Sequence, residues 1–224
     1  MGTLYVCATP IGNLSDASQR LIDTLKGADL IAAEDTRQTK KLLERFDIAT
    51  RTTSYHEHNI RHKTIQIISE LLNGKNVALV SDAGMPGISD PGEELIREAI
   101  SKGIKVIPIP GPSAVITALA VSGLPTSRFV FEGFLPREGK LRRRILRKLV
   151  DEERTLVFYE SPHRLLKSLN DILSILGNRK ICVAREITKI HEEFFRGTVE
   201  ETLDRFEQEV LGEITLLVEG KPSP

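Results

Sequence analysis

Apolar runs of strand length recur along this chain between longer segments of helical period, and each early run ends in a stretch rich in Gly, Pro or acidic residues. That alternation predicts βαβ units, and so an α/β fold with a largely parallel sheet in its first half. Strands are expected over 3–8, 28–33, 50–54, 76–80 and 104–109. Helices are expected over 16–26, 36–46, 60–73, 93–102 and 113–122. A sixth strand starts near Arg128 and runs into a Gly/Pro break through Gly133 and Pro136. A domain boundary is expected there, at about 135, dividing the chain into an N-terminal α/β domain (1–135) and a C-terminal one (136–224). The second half alternates as well, with a basic helix over 138–150, a strand over 154–159, a helix over 162–176, a strand over 180–187 and a closing strand over 213–219.

In open α/β sheets ligands gather beyond the carboxyl ends of the strands. The unusual segments all fall there: Thr9-Pro10-Ile11-Gly12-Asn13-Leu14, Glu34-Asp35-Thr36-Arg37, His56-Glu57-His58-Asn59, the loop 81–92, and Pro110-Gly111-Pro112-Ser113-Ala114. The loop 81–92 carries Gly84, Gly87 and Gly92 with Pro86 and Pro91, a density that fixes the chain in conformations other residues resist and lets a ligand approach the backbone. Two nucleotide fingerprints are absent: neither Gly-x-Gly-x-x-Gly nor Gly-x-x-x-x-Gly-Lys-[Ser/Thr] occurs. Pro10 also removes a backbone N–H that a pyrophosphate site would use. Backbone-rich loops with few fixed cations suit a neutral or zwitterionic adenine-containing ligand better than a triphosphate.

Composition narrows the setting. Lysine plus arginine balances aspartate plus glutamate at 31 each, so a polyanion partner has to be held by local patches. Cys7 and Cys182 sit singly in apolar runs, as buried structural thiols in a reducing compartment do. No run approaches the roughly 20 apolar residues of a membrane span, and Met1-Gly2-Thr3 has no basic leader character, so the expectation is a cytoplasmic protein.

Together the five loop segments resemble the small-subunit ribosomal RNA ribose methyltransferases of the tetrapyrrole methylase superfamily, the class III methyltransferases. The resemblance runs from Thr3 to about Glu219. It implies a homodimer of two-domain α/β chains that binds S-adenosylmethionine in a cleft between the domains and 2′-O-methylates a decoding-region cytidine of the small ribosomal subunit's 16S RNA. On that resemblance the cofactor-binding residues are Pro10, Gly12, Val80, Ser81, Asp82, Ala83, Gly84, Met85, Ile88, Ser113, Ala114, Tyr159 and Glu160. Val80-Ser81-Asp82 resembles the Gly-Gly-Asp turn of relatives that act on tetrapyrroles. Glu34-Asp35-Thr36-Arg37 and His56-Glu57-His58 have no counterpart in those relatives, which argues for a different acceptor. Asp82 is placed to pair with the cofactor's ammonium group or to order its own loop.

Methyl transfer to a hydroxyl is an in-line displacement in which positioning supplies much of the acceleration and a base takes the proton. Asp35, His56 and His58 are the candidate bases, each following a strand. The plainer reading of Asp35 is an N-cap for the helix from Thr36, and that of His56 a satisfied loop histidine. His58 and His62 share a helical spacing, but no His-Glu-x-x-His and no nearby cysteine accompany them, so no metal is expected. Arg137, Lys140, Arg142, Arg143, Arg144, Arg147 and Lys148 crowd one helix, and the RNA-contacting set is taken as Arg37, Arg142, Arg143, Arg144 and Arg147. Lys40, Lys41 and Arg61 extend it, with Phe134 and Tyr55 available to stack on bases. The alternatives are a small-molecule methyltransferase for tetrapyrroles, a protein methyltransferase of the diphthamide type, and a non-catalytic ribosome assembly factor.

Overall fold

A computed structural model describes residues 1–207 and 211–222. It divides into two compact units, Met1–Ser113 and Ala114–Pro224.

In the first unit, strands β1 (Thr3–Cys7), β2 (Leu30–Ala33), β3 (Thr52–Ser54), β4 (Val77–Val80) and β5 (Lys105–Ile109) alternate with helices α1 (Gln19–Gly27), α2 (Thr36–Arg45), α3 (Ile60–Leu72) and α4 (Glu93–Ser101). The strands form one sheet of order β3-β2-β4-β1-β5, parallel throughout. β2 and β4 are buried along their whole length, as central strands covered on both faces must be. On one face Leu4, Leu30, Val77 and Leu79 pack with Ile67 and Leu71 of α3 and Leu95 of α4. On the other, Cys7, Ile31, Ala78 and Val80 pack with Leu21 and Leu25 of α1 and Leu42 and Leu43 of α2. Each such leucine or valine contributes about 1.5–3 kcal/mol by leaving water. Burial pushes the Cys7 thiol up to about 12, as the sequence reading of an inert core cysteine requires.

Parallel pairing sends the carboxyl ends of all five strands to one edge. The loops after them are tied to one another there. Thr9 and Gly84 exchange backbone bonds at 2.9 and 3.1 Å, stitching the first loop to the fourth. Gly92 holds φ +155°, and a Cβ on it would stand 2.8 Å from the Gly87 nitrogen, so the chain comes back against Gly87 only because residue 92 lacks a side chain.

The second unit begins earlier than the Gly/Pro break predicts. It contains α5 (Ala114–Val121), β6 (Phe129–Phe134), α6 (Gly139–Lys148), β7 (Thr155–Glu160), α7 (Leu165–Leu176), β8 (Lys180–Arg185), β9 (Glu193–Thr198), α8 (Val199–Arg205) and β10 (Ile214–Val218). The break at 135 does not separate units because the strand before it pairs with β7. The sheet order is β6-β7-β10-β8-β9, with β6 parallel to β7 and the rest antiparallel. Its core gathers Leu146 of α6, Leu165, Leu169 and Ile172 of α7 and Val199 of α8 against Leu156, Phe158, Val183 and Leu216. Of the expected second domain, 208–210 and 223–224 lie outside the described residues. No helix among the described residues is long and apolar enough to cross a membrane.

Candidate functional site

The loop after β2 begins with Glu34, whose amide donates to the Val80 carbonyl at 3.3 Å and so keeps β2 paired to β4 at its last residue. From there the two loops are joined reciprocally. The Glu34 carboxylate accepts the Asp82 N–H at 3.3 Å, and the Asp82 carboxylate accepts the Asp35 N–H at 3.0 Å. Asp82 therefore orders the junction of two loops, the second of the two roles the sequence offers it. Ser81 is buried in the turn, its hydroxyl directed at the Ala83 and Gly84 carbonyls, and its own carbonyl accepts from Thr9 Oγ1.

Asp35 is the N-cap of α2. Its carboxylate accepts from the Arg37 amide at 2.8 Å and pairs with the Arg37 guanidinium at 2.7 Å. These Arg37 bonds hold its carboxyl down at about 2. A carboxylate held so firmly in its ionised form is a poor proton acceptor, which corrects the expectation that Asp35 serves as base. The same pair gives Arg37, whose side chain is exposed, a carboxylate partner at the surface. Glu34 behaves oppositely. Burial pushes its carboxyl above the usual range, the Asp82 N–H partly opposes this, and the nearby charges of Asp82, Glu57 and Asp35 add to it. Sequence reasoning passed over Glu34; the cap pattern at Asp35 was the available signal that the neighbouring carboxylate is the unspent one.

After β3, His56, Glu57, His58 and Asn59 close a tight turn in which the Asn59 amide donates to the His56 carbonyl at 2.8 Å. His56 is half-buried and its ring contacts Asn59; His58 is exposed, with its ring edge-on to that of His56 at 5.9 Å. Tyr55 is buried, with its hydroxyl 3.1 Å from Thr64, so it is a core residue and unavailable for stacking. Pro10 is buried, Gly12 exposed, Met85 packs on the core of the unit, and Ile88 is exposed beside Pro86 and Ile96. Ser113 and Ala114 are half-buried and fall on either side of the division between units.

In the second unit the pairing of β6 with β7 slips between Phe131 and Gly133. The slip brings Phe131 and Phe134, an odd spacing apart, onto the same Tyr159 ring at 5.0 and 5.4 Å. Phe134 stays exposed and free to stack further. Glu160 is buried, and its carboxylate is engaged by the Ser161 amide, the Ser168 hydroxyl and Arg164 at 2.8 Å. Its side chain is a structural anchor of the strand end, not a group presented to a ligand. Arg142 departs further from expectation. It is buried and held by Asp171 of α7 at 2.7 Å through Nε and Nη2, with its remaining nitrogen, Nη1, reaching the Pro136 and Arg137 carbonyls at 3.5 and 3.4 Å. Arg143 shares Asp171 at 3.4 Å. Arg144 and Arg147 are exposed, with no carboxylate partner among the described residues, and with exposed Lys140 and Lys148 they make up the cationic face of α6.

Comparison with known proteins bears on this arrangement. The family of Tetrapyrrole (Corrin/Porphyrin) Methylases matches residues 3–203. The chain is 59% identical over 220 residues to the ribosomal RNA small subunit methyltransferase I of Halalkalibacterium halodurans, covering 98% of this chain and 76% of that one. It is 53% identical to the enzyme of the same name from Thermotoga maritima, over 99% of this chain and 100% of that one. Among solved structures, the methyltransferase CobJ superposes with a TM-score of 0.74 at 16% identity, covering 100% of this chain and 98% of that one. Diphthine synthase superposes at 0.71 and 14% identity, covering 98% of this chain and 90% of that one. At such identities these two structures speak for the fold alone.

Proposed function

The chain belongs to the tetrapyrrole (corrin/porphyrin) methylases, and from that premise we propose that it methylates the 2′-hydroxyl of a cytidine ribose in small-subunit (16S) ribosomal RNA, using S-adenosylmethionine. That it is a methyltransferase of small-subunit ribosomal RNA follows from its high identity, over nearly its whole length, to enzymes of that name. The ribose as target, the cytidine and the identity of the donor are our reading. The ribose and the cytidine rest on the family resemblance, and one observation supports the donor: the parallel strand ends offer backbone turns and carboxylates, with the adjacent Arg37 paired to Asp35. That set fits a cationic donor, since a sulfonium and an ammonium need acceptors, supplied here by Asp82, Glu57 and the carbonyls of the glycine loop.

When bound, the cofactor supplies an electrophilic methyl group. The rest falls to the protein, which has to hold the nucleotide oxygen in line and remove its proton. Asp35 is excluded from the second task by Arg37. We assign that task to Glu34, the half-buried carboxylate at the same strand end. RNA phosphates are assigned to Arg144 and Arg147 on the outer face of α6. The reversal Arg144→Glu with Arg147→Glu is expected to lower RNA affinity and to flatten the dependence of log K on log salt by about 1 for each phosphate that is no longer neutralised. An unchanged slope in filter binding across a salt series would leave α6 a solvated face. We take the working form to be a homodimer, as the family resemblance implies, and place it in the cytoplasm, as expected from the sequence.

The test is transfer of labelled methyl from S-adenosylmethionine to small ribosomal subunits that lack the modification, with the product nucleoside identified by mass spectrometry. A 2′-O-methylcytidine is expected. Methylation of a base would refute the ribose assignment, and label in a small molecule or protein alone would refute the RNA one.

A further inference from the structure

The turn after β3 fixes the chemistry of the His56 ring more tightly than its position alone suggests. The His56 backbone N–H donates to Asn59 Oδ1 at 2.9 Å, which settles which end of the Asn59 amide is oxygen. Asn59 Nδ2 is then the atom 3.2 Å from His56 Nε2, and it also reaches Ser54 Oγ at 3.2 Å. An amide nitrogen has no lone pair to offer, so Nε2 must be the acceptor, and in the neutral ring the proton sits on Nδ1. Nδ1 is screened from water and has no hydrogen-bond partner. A buried donor left unpaired is destabilising, and an incoming acceptor relieves it. The His58 ring stands edge-on to the His56 ring at 5.9 Å and belongs to an exposed side chain able to turn aside on the nanosecond scale.

We propose that Asn59 is a positioning residue which locks His56 in its Nδ1–H tautomer, and that His56 donates this hydrogen bond to an oxygen of the RNA nucleotide. His56 is thereby a donor that orients the acceptor, not the base the sequence suggested. The proposal rests on the RNA reading above for the identity of the ligand, while the tautomer stands on the turn alone. Asparagine in place of His56 carries its amide N–H close to where Nδ1 stood, whereas glutamine carries it close to where Nε2 stood.

The experiment joins a spectroscopic and a kinetic reading on the full chain. Nitrogen-15 shifts of labelled histidine, recorded at a pH where imidazoles are neutral and with His56→Asn as the assignment control, are expected to show the His56 proton on Nδ1. In Asn59→Ala the ring is expected to shift toward the Nε2–H form. In single-turnover methyl transfer to small subunits, His56→Asn is expected to stay within a fewfold of wild type, while His56→Gln falls about tenfold, the worth of one hydrogen bond. A wild-type ring protonated at Nε2, or glutamine outperforming asparagine, overturns the proposal. A wild type that shows the Nδ1–H ring yet transfers no methyl to ribosomal RNA overturns the RNA ligand and leaves the tautomer lock standing.

Discussion

Arg142→Ala is expected to destabilise the second unit by about 3 kcal/mol, at the lower end of the 3–5 kcal/mol range for breaking a buried ion pair. The loss is large because removal of the guanidinium leaves the Asp171 carboxylate on α7 with only Arg143 at 3.4 Å, and strands the Pro136 and Arg137 carbonyls that Arg142 reaches. Arg143 is the reason for the lower end, since it retains part of the compensating charge. Replacing both partners with apolar residues, Arg142→Met with Asp171→Leu, is expected to recover most of the loss, because no charge is then left buried. Urea denaturation of the three proteins reads the difference directly. RNA affinity of folded Arg142→Ala should keep the wild-type salt slope. A shallower slope would return Arg142 to the RNA surface, and unchanged stability would show that the pair between α6 and α7 carries nothing.

The position of Arg142 was written in the helix itself. Residues 142, 146 and 149 fall at i, i+4 and i+7, so Arg142 lies on the stripe that buries Leu146 and Leu149, while the apolar Leu141 is exposed. Hydrophobic type misled where helical phase would have served. The strands of the first unit were legible to within two residues because all but the β-branched polar β3 (Thr-Thr-Ser) are apolar runs closed by Gly, Pro or an acidic residue. β9 and α8 were not, since Glu193–Thr198 is a half-buried edge strand with charges at two of its six positions. Even there Thr198 and Glu201 form a capping box, a pattern visible in Thr-Val-Glu-Glu. In the site, sequence located the loops and most of their polar residues, but a side chain's role depends on its partner. Arg37 spends Asp35, Asn59 turns the His56 ring, and Ser168 with Arg164 occupies Glu160; the last of these pairings joins a strand to the helix after it, beyond the reach of loop-by-loop reading.

Glu34→Gln separates activity from stability in opposite directions. Its carboxyl is raised in the folded chain, chiefly by burial, and the Asp82 N–H only partly offsets this. The sign follows from linkage: a carboxyl whose folded pKa lies above its unfolded value costs nothing below the unfolded pKa, where it is neutral in both states. As pH rises, an unfavourable contribution grows and is fully present above the folded pKa. Glutamine keeps an oxygen for the Asp82 N–H without the charge, so Glu34→Gln is expected to raise the melting temperature at neutral pH and to lose that advantage as the solution is acidified. The same substitution removes the proposed proton acceptor, and single-turnover methyl transfer should fall by about 10² to 10⁴. In the wild type that rate should climb with pH through a carboxyl above the ordinary glutamate range, and in the variant the climb should vanish. A structural role for Glu34 would lower stability and rate together and leave the pH profile in place, so a variant that is slower, less stable and still pH-dependent would remove Glu34 from the chemistry.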